Sequence, residues 1–371
     1  MKKSLIALAV AGAFAAPAFA ATSNVDVYGK LHVSVSVFDE TVDSLDHDAN
    51  PATPALRGTN DLQFSSNVSR IGFKGSEDLG GGLNAIWQIE SGVNLDEQNG
   101  TWAGRNSFVG LNGGFGTVLL GNHDTPLRLV GRAVDLFGDT MADSRNVMGG
   151  GSDARAKNVA AYISPSFSGF SVAAAYTTDL KGDGTQINTD GLKFDPTDLT
   201  AKQLDSGDQA DNGAYNLNAT YTNGPIYVGV GYGDGDYHEN AGLGAHIRLA
   251  GGFSFGNAKI VAQYDSLEDD TPTTGTGDMD AWMVGGSYTM GAIVLKANYM
   301  TKEYDLSTAE PTQYAIGADY NLSKRSSIYA LYAATEDGVV LGSGAGSSDT
   351  ILSGDVSGDN SVLSVGVVHS F

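Results

Sequence analysis

The chain of 371 residues contains no cysteine, so no disulfide can brace it and no thiolate can act as nucleophile or metal ligand. Basic residues are scarce. The 21 lysines and arginines face 43 aspartates and glutamates, a net charge of −22 that excludes a nucleic-acid partner. Catalytic signatures are missing as well: there is no G-x-S-x-G, no H-E-x-x-H and no phosphate loop, and serines and histidines are scattered without pairing. The expectation is therefore no enzyme, no cofactor and no metal site. His32 and His246 have no second ligand at suitable spacing and are expected to be ordinary residues of a wet face. The acidic run Asp265 to Asp280 lacks the spacing of a calcium loop.

Long apolar runs are also missing. After the first twenty residues nothing approaches the ~20 that a membrane-spanning helix needs. Hydropathy alone would then describe a soluble protein, but membrane β-strands alternate and carry a much weaker signal per segment, so this absence does not exclude them. The first twenty residues, with Lys2 and Lys3, an apolar run from Leu5 to Ala16 and then Ala18-Phe19-Ala20, are expected to be a secretory signal peptide (1–20) preceding one domain over 21–371. Removing Lys2 and Lys3 with the leader makes the remainder two charges more negative.

What is present is two-residue alternation. Val25, Val27, Gly29, Leu31, Val33, Val35 and Val37 fall on one face of a run whose other face carries Asp26, Tyr28, Lys30, His32, Ser34 and Ser36. The same grammar recurs in Asn67–Gly75, Leu83–Glu90, Arg105–Leu111, Gly116–Gly121, Lys157–Ile163, Phe170–Thr177, Tyr215–Thr222, Ile226–Tyr232, Leu243–Ala250, Ala258–Tyr264, Ala281–Thr289, Ile293–Met300, Gln313–Asn321, Ser327–Ala334 and Ser361–Phe371. With the first run this makes about sixteen strands, at roughly 22 residues for each strand and its connection.

Short turns alternate with long polar loops, the pattern of an up-and-down barrel. Tyr176, Tyr215, Tyr221, Tyr232, Tyr264, Trp282, Tyr288, Tyr299, Tyr314, Tyr320 and Tyr332 fall on the apolar face, most of them near strand ends, as suits rings at lipid headgroup level. The other face carries Asn216, Asn218, Thr220, His246, Arg248, Gln263, Lys296 and Asn298, which is too polar for a packed sandwich core. The fold class expected is all-β: a sixteen-stranded antiparallel transmembrane β-barrel with an aqueous interior.

One stretch breaks the alternation. His123 to Arg155 is a long, mid-chain insertion of loop-like sequence, and such insertions in compact β-proteins are usually functional.

Val27-Tyr28-Gly29-Lys30, the segment from Ser69 to Gly80, Phe108-Val109-Gly110-Leu111 with Gly114-Phe115-Gly116, and a last strand ending in Phe371 together resemble the general diffusion porins of Gram-negative outer membranes. The resemblance implies an exported outer-membrane protein, set in lipid and lipopolysaccharide, that assembles as a homotrimer and has a third loop folded into each barrel. His123 to Arg155 lies at that loop's position. The resemblance further implies a basic constriction wall of Lys30, Arg70, Arg105 and Arg155 and an acidic loop side of Asp135 and Asp139 with Asp143; Asp124 is a weaker member. Arg128, Arg132 and Arg145 on the same loop make its acidic side less pure. Phe371 would be the signal read by the barrel-assembly machinery.

The activity implied is passive diffusion of small hydrophilic solutes and ions. Opposed charges about 8 Å apart would interact by ~0.5 kcal/mol in water and ~2 kcal/mol at an effective dielectric near 20. The negative balance of the whole chain predicts cation preference. A substrate-selective channel, and a non-conducting barrel serving as adhesin or envelope anchor, stay open as alternatives.

Overall fold

The computed structural model describes residues 24–40, 62–96, 100, 102–179, 213–235, 243–269, 277–337, 339, 341 and 360–371. The expected leader, and most of the long acidic loops, lie outside the described residues.

Seventeen strands are found among the described residues. In chain order they are β1 (Asn24–Glu40), β2 (Leu62–Ser66), β3 (Arg70–Gly80), β4 (Leu83–Gly92), β5 (Ser107–Gly113), β6 (Gly116–Asp124), β7 (Arg155–Ile163), β8 (Phe170–Asp179), β9 (Ala214–Asn223), β10 (Ile226–Gly235), β11 (Leu243–Phe255), β12 (Ala258–Asp269), β13 (Met279–Met290), β14 (Ile293–Tyr304), β15 (Thr312–Asn321), β16 (Ser326–Glu336) and β17 (Asn360–Ser370). Apart from β2 and β3, which both pair with β1, each pairs antiparallel with its sequence neighbours, and β17 pairs with β1 from Lys30↔Ser370 to Glu40↔Asn360, so the sheet closes on itself. Closure removes the unpaired edges that a hydrocarbon environment would penalise.

β2 and β3 form one crossing. β1 pairs with both, with Val33↔Ser66 on one side of a break and Lys30↔Arg70 on the other. Three residues, Asn67 to Ser69, oppose two on β1, which is a β-bulge with Val68 at φ 55°. The extra residue flips the alternation, so Phe64 faces out on one side of the bulge while Arg70 points inward on the other. Seventeen strands therefore make sixteen crossings.

The outer face carries exposed Val25, Val27, Leu217, Val228, Leu249, Ile260, Val284, Ile316 and Val365, with Tyr215, Trp282, Tyr288, Tyr299, Tyr314 and Tyr320 among them. A soluble protein would bury such a band, whereas a lipid-facing wall requires it. Short turns close one end, for example at Gly81-Gly82 between β3 and β4, where both residues have positive φ.

At the barrel seam the backbone of Gly29 exchanges two 3.1 Å hydrogen bonds with Phe371. The Phe371 ring lies so close over Gly29 that a Cβ there would sit 2.5 Å from it. The terminal aromatic thus has a structural seat on the first strand.

The buried apolar core is inside the barrel, where the inserted stretch meets the wall. Val130, Val134, Val147 and Met148 pack with Ala250, Val261, Met279, Met283 and Met300. Phe137, Met141 and Ala142 pack with Ala315, Leu331 and Ala333. Burying seven such side chains at up to ~2 kcal/mol each is worth on the order of 10 kcal/mol, so the stretch is a fixed lining and no loose lid.

Candidate functional site: the loop inside the barrel

The insertion is narrower than the alternation implied, because β6 runs on to Asp124 and Arg155 opens β7. It also has structure of its own. Helix α1 (Pro126–Arg132) starts at Thr125, whose hydroxyl accepts from the Arg128 N–H, with proline in the first turn where its missing donor costs nothing. Helix α2 (Arg145–Met148) follows a turn at Asp139, a residue at φ 63°. α1 lies against β9, β10 and β11, and α2 against β13, β14 and β15. Between them the chain reaches across to β1 and β3, so the loop lies inward along more than half of the barrel wall.

Its tip meets the first two crossings. Lys30 Nζ donates to Asp139 Oδ2 at 2.9 Å, and Arg70 Nη1 lies 3.4 Å from the same oxygen. From the loop itself, Arg132 Nη2 lies 2.8 Å and Arg145 Nη2 3.9 Å from Asp139 Oδ1. One carboxylate therefore serves four cations. Burial would push the Asp139 carboxyl up, but Lys30, Arg132 and Arg70 outweigh it and hold the group well below the usual carboxylate range.

Deeper in the loop, Asp143 accepts from Arg132 at 2.9 Å and from Arg145 at 3.0 Å, and it too is held below the usual range against its burial. Asp135 accepts from Arg132 at 3.1 Å and from the Phe137 N–H at 2.9 Å. Its burial, with Asp143 nearby, prevails over Arg132 and pushes its pKa up to about 6. Burial opposes the charge of Arg132, but Asp143, Asp139 and Asp135 raise its pKa.

The structure brings Lys30, Arg70, Asp135, Asp139 and Asp143 into one network and leaves Arg105 and Arg155 outside it. Arg105 pairs with Glu90 of β4, which also accepts from the Tyr28 hydroxyl at 2.9 Å. Arg155 binds Asp124 at 3.1 Å and the Asn106 side chain at 2.9 Å, and Asp124 also pairs with Arg128 at 3.2 Å. These two arginines find their carboxylates on the wall, not on the loop. The expected gap of about 8 Å between basic wall and acidic loop is corrected too, because Lys30 touches Asp139 directly.

The expectation of cation preference finds no support in the same geometry. Side-chain exposure is 17% for Lys30, 25% for Arg70 and 27% for Arg132, against 9% for Asp139, 1% for Asp135 and 0% for Asp143. The carboxylates lie beneath their partners, and the groups that meet water at this ring are mainly basic.

Both histidines are buried behind the loop instead of lining open water. His32 Nε2 lies 2.9 Å from the Tyr329 hydroxyl, and His246 Nδ1 accepts from the Ser152 N–H at 3.3 Å. Asp265, expected in an acidic loop, lies within β12, fully buried and paired with Arg248. Glu90 and the Arg248–Asp265 pair were not singled out from sequence, although the inward position of Arg248 was visible in the alternation.

A closed antiparallel barrel with a lipid-compatible exterior, a charged interior and a mid-chain loop laid inside it defines a transmembrane channel class. A family model of the Gram-negative porin matches residues 7–338, and the chain belongs to that family. It is 30% identical over 345 residues to the major outer membrane protein P.IB of Neisseria sicca, covering 88% of this chain and 92% of that one. Outer membrane porin protein 32 of Delftia acidovorans is 28% identical over 389 residues, with both chains covered completely. Among solved structures, an anion-selective porin from Comamonas acidovorans has a similar fold, with a TM-score of 0.69 at 24% identity over 94% of this chain and all of that one. OmpT of Vibrio cholerae in its trimer form has a TM-score of 0.63 at 19% identity, over 94% and 99% of the two chains. The protein is thus an outer-membrane porin of the Gram-negative type.

Proposed function

We propose that the chain forms a water-filled channel for passive diffusion of small hydrophilic solutes and ions. In this reading its narrowest ring is the inward loop facing Lys30, Arg70, Arg105 and Arg155, and Asp135, Asp139 and Asp143 are the counter-charges that hold the loop's shape. Selectivity at that ring leans toward anions. The observation that carries this is the difference in exposure within the network: Arg70 and Arg132 meet water while Asp135 and Asp143 do not.

Fixed charge at a constriction acts on each passing ion, because the path is too narrow for solvent to separate them fully. Acidic groups at a wide mouth are screened over a Debye length of about 8–10 Å. A ring with mainly basic groups facing water therefore outweighs the acidity of the chain as a whole. Apolar solutes pass poorly because they must displace water ordered by these charges.

The test is the reversal potential of the reconstituted protein in a salt gradient. Anion-leaning potentials support the reading, and cation-leaning ones overturn it. A protein that passes no current overturns the channel itself. Arg70→Ala is expected to raise single-channel conductance by opening the ring and to weaken anion preference.

We read the assembly as a homotrimer in outer-membrane lipid and lipopolysaccharide. Phe371 is read as serving both as the seam residue seated on Gly29 and as the signal for the barrel-assembly machinery.

A further inference from the structure

Resting on the channel reading above, we propose that Arg248, on the wall opposite Lys30 and Arg70, is the residue that positions the constriction loop and so keeps the aperture steady. Arg248 is among the largest fully buried side chains, and none of its contacts is accidental in kind. Its Nε and Nη2 hold both oxygens of Asp265 on the neighbouring strand at 2.8 and 2.6 Å, a two-point pair that fixes the guanidinium plane. With the plane fixed, the remaining donors point at the loop. Nη1 reaches Asp153 on the loop's return limb, and Nη2 also donates to the Met148 carbonyl at the end of α2, at 2.9 Å.

The first helix completes the arrangement. A Cβ on Gly131 of α1 would lie 2.6 Å from Arg248 Nη1, so any side chain there would have to displace the guanidinium. One wall side chain thus touches α1, the end of α2 and the return limb. Asp153 is tied in further by Arg128 of α1 at 3.5 Å. Its carboxyl is held below the usual range, because Arg248 and Arg128 outweigh the effect of burial.

Other fastenings on this side include uncharged hydrogen bonds: Asn216 accepting from the Leu127 N–H, Asn218 donating to the Pro126 carbonyl, Gln313 donating to the Ala142 carbonyl, and the Tyr227 hydroxyl donating to the Val130 carbonyl. Charge-assisted bonds are roughly twice as strong as these. Loss of Arg248 would also leave Asp265 buried without an arginine and Asp153 with only Arg128 at 3.5 Å, and water must enter to solvate them, which lifts the loop from the wall. Arg248 does not face the permeating solute, so its effect on current runs entirely through the loop.

The experiment records single channels of the full-length protein in planar bilayers, comparing wild type with Arg248→Met, Arg248→Lys and Asp153→Asn. Arg248→Met, of similar reach but uncharged, is expected to form barrels of unchanged mobility on unheated gels. Its open current should switch between levels at least tenfold more often and close at lower voltage. Arg248→Lys should restore part of the steadiness, since it keeps one charge but not the two-point pair. Asp153→Asn cuts only the loop end and should flicker to an intermediate degree.

A steady, wild-type current from Arg248→Met overturns the inference. If Arg248→Met fails to assemble, Asp153→Asn decides, because it leaves the Arg248–Asp265 wall pair intact: flicker supports the clamp and a steady current refutes it. A wild type without current refutes the channel reading, whereas a conducting wild type with steady variants refutes the clamp alone.

Discussion

Asp139→Asn is the most informative single change at the ring. Asparagine keeps the shape and tolerates the φ of 63° at this position, so the perturbation is close to the removal of one negative charge. Asp139 is ionised throughout the working range, because Lys30, Arg132 and Arg70 hold its pKa down against burial, so the full charge is lost. Its four cations, from Arg132 at 2.8 Å to Arg145 at 3.9 Å, then share no common counter-ion.

A monovalent ion passing about 6 Å from the uncompensated charge feels ~0.7 kcal/mol in water, and screening at 0.1 M salt reduces this to ~0.4 kcal/mol. The term lowers the barrier for an anion and raises it for a cation, so the permeability ratio should move roughly fourfold toward anions. Reversal potentials in a tenfold salt gradient measure this directly. Lys30→Met removes a charge of the opposite sign at the same contact and should move the ratio a similar distance toward cations. If both variants shift the potential in the same direction, or Asp139→Asn leaves it unchanged in intact assemblies, the field at this ring does not set selectivity.

Two further outcomes follow from the geometry. The Asp135–Asp143 pair should take up one proton as pH falls through about 6, since burial raises the Asp135 pKa; each protonation adds one positive charge to the loop, so anion preference should rise between pH 7 and 5, and Asp135→Asn should abolish the step in a pH series of reversal potentials. Gly29→Val places side-chain atoms where the Phe371 ring and the Arg70 carbonyl already lie, 2.5 and 2.7 Å from a Cβ, so the barrel should lose resistance to heating in gel-mobility assays and outer-membrane levels should fall, as they should on deletion of Phe371; unchanged levels in both would show that the seam contact is dispensable.

The barrel was legible in the sequence because a wall with lipid on one side and water on the other writes its two environments onto alternate residues. Legibility ended wherever that alternation was broken by backbone. Leu62–Ser66 was not recognised as strand, because the bulge at Asn67 to Ser69 shifts the alternation by one and disconnects it from Arg70–Gly80. Arg105 lies just ahead of β5, so its inward placement could come only from the family resemblance. The loop's position was likewise inferable as a failure of alternation, but its two short helices were not, since seven and four residues are too few to show a helical period.

The anion preference proposed above runs against the charge count, for a reason that goes beyond missing detail. A count of charges weights every carboxylate equally, whereas the field at a pore depends on which groups touch water and how near the path they lie. The acidic residues of this loop are the ones that need partners. Asp143 is fully buried and receives two arginines and Asp139 receives four cations, while on the facing wall Asp265 is covered by Arg248. Each is used to hold the loop, and burial is what makes it effective there, because a charge-assisted bond is stronger out of water. The cations that hold them are long side chains, which can pair at one edge and still expose the other. On the proposed reading, a loop fastened by buried aspartates to arginines and a lysine presents its basic side to the solute, however acidic the chain that carries it.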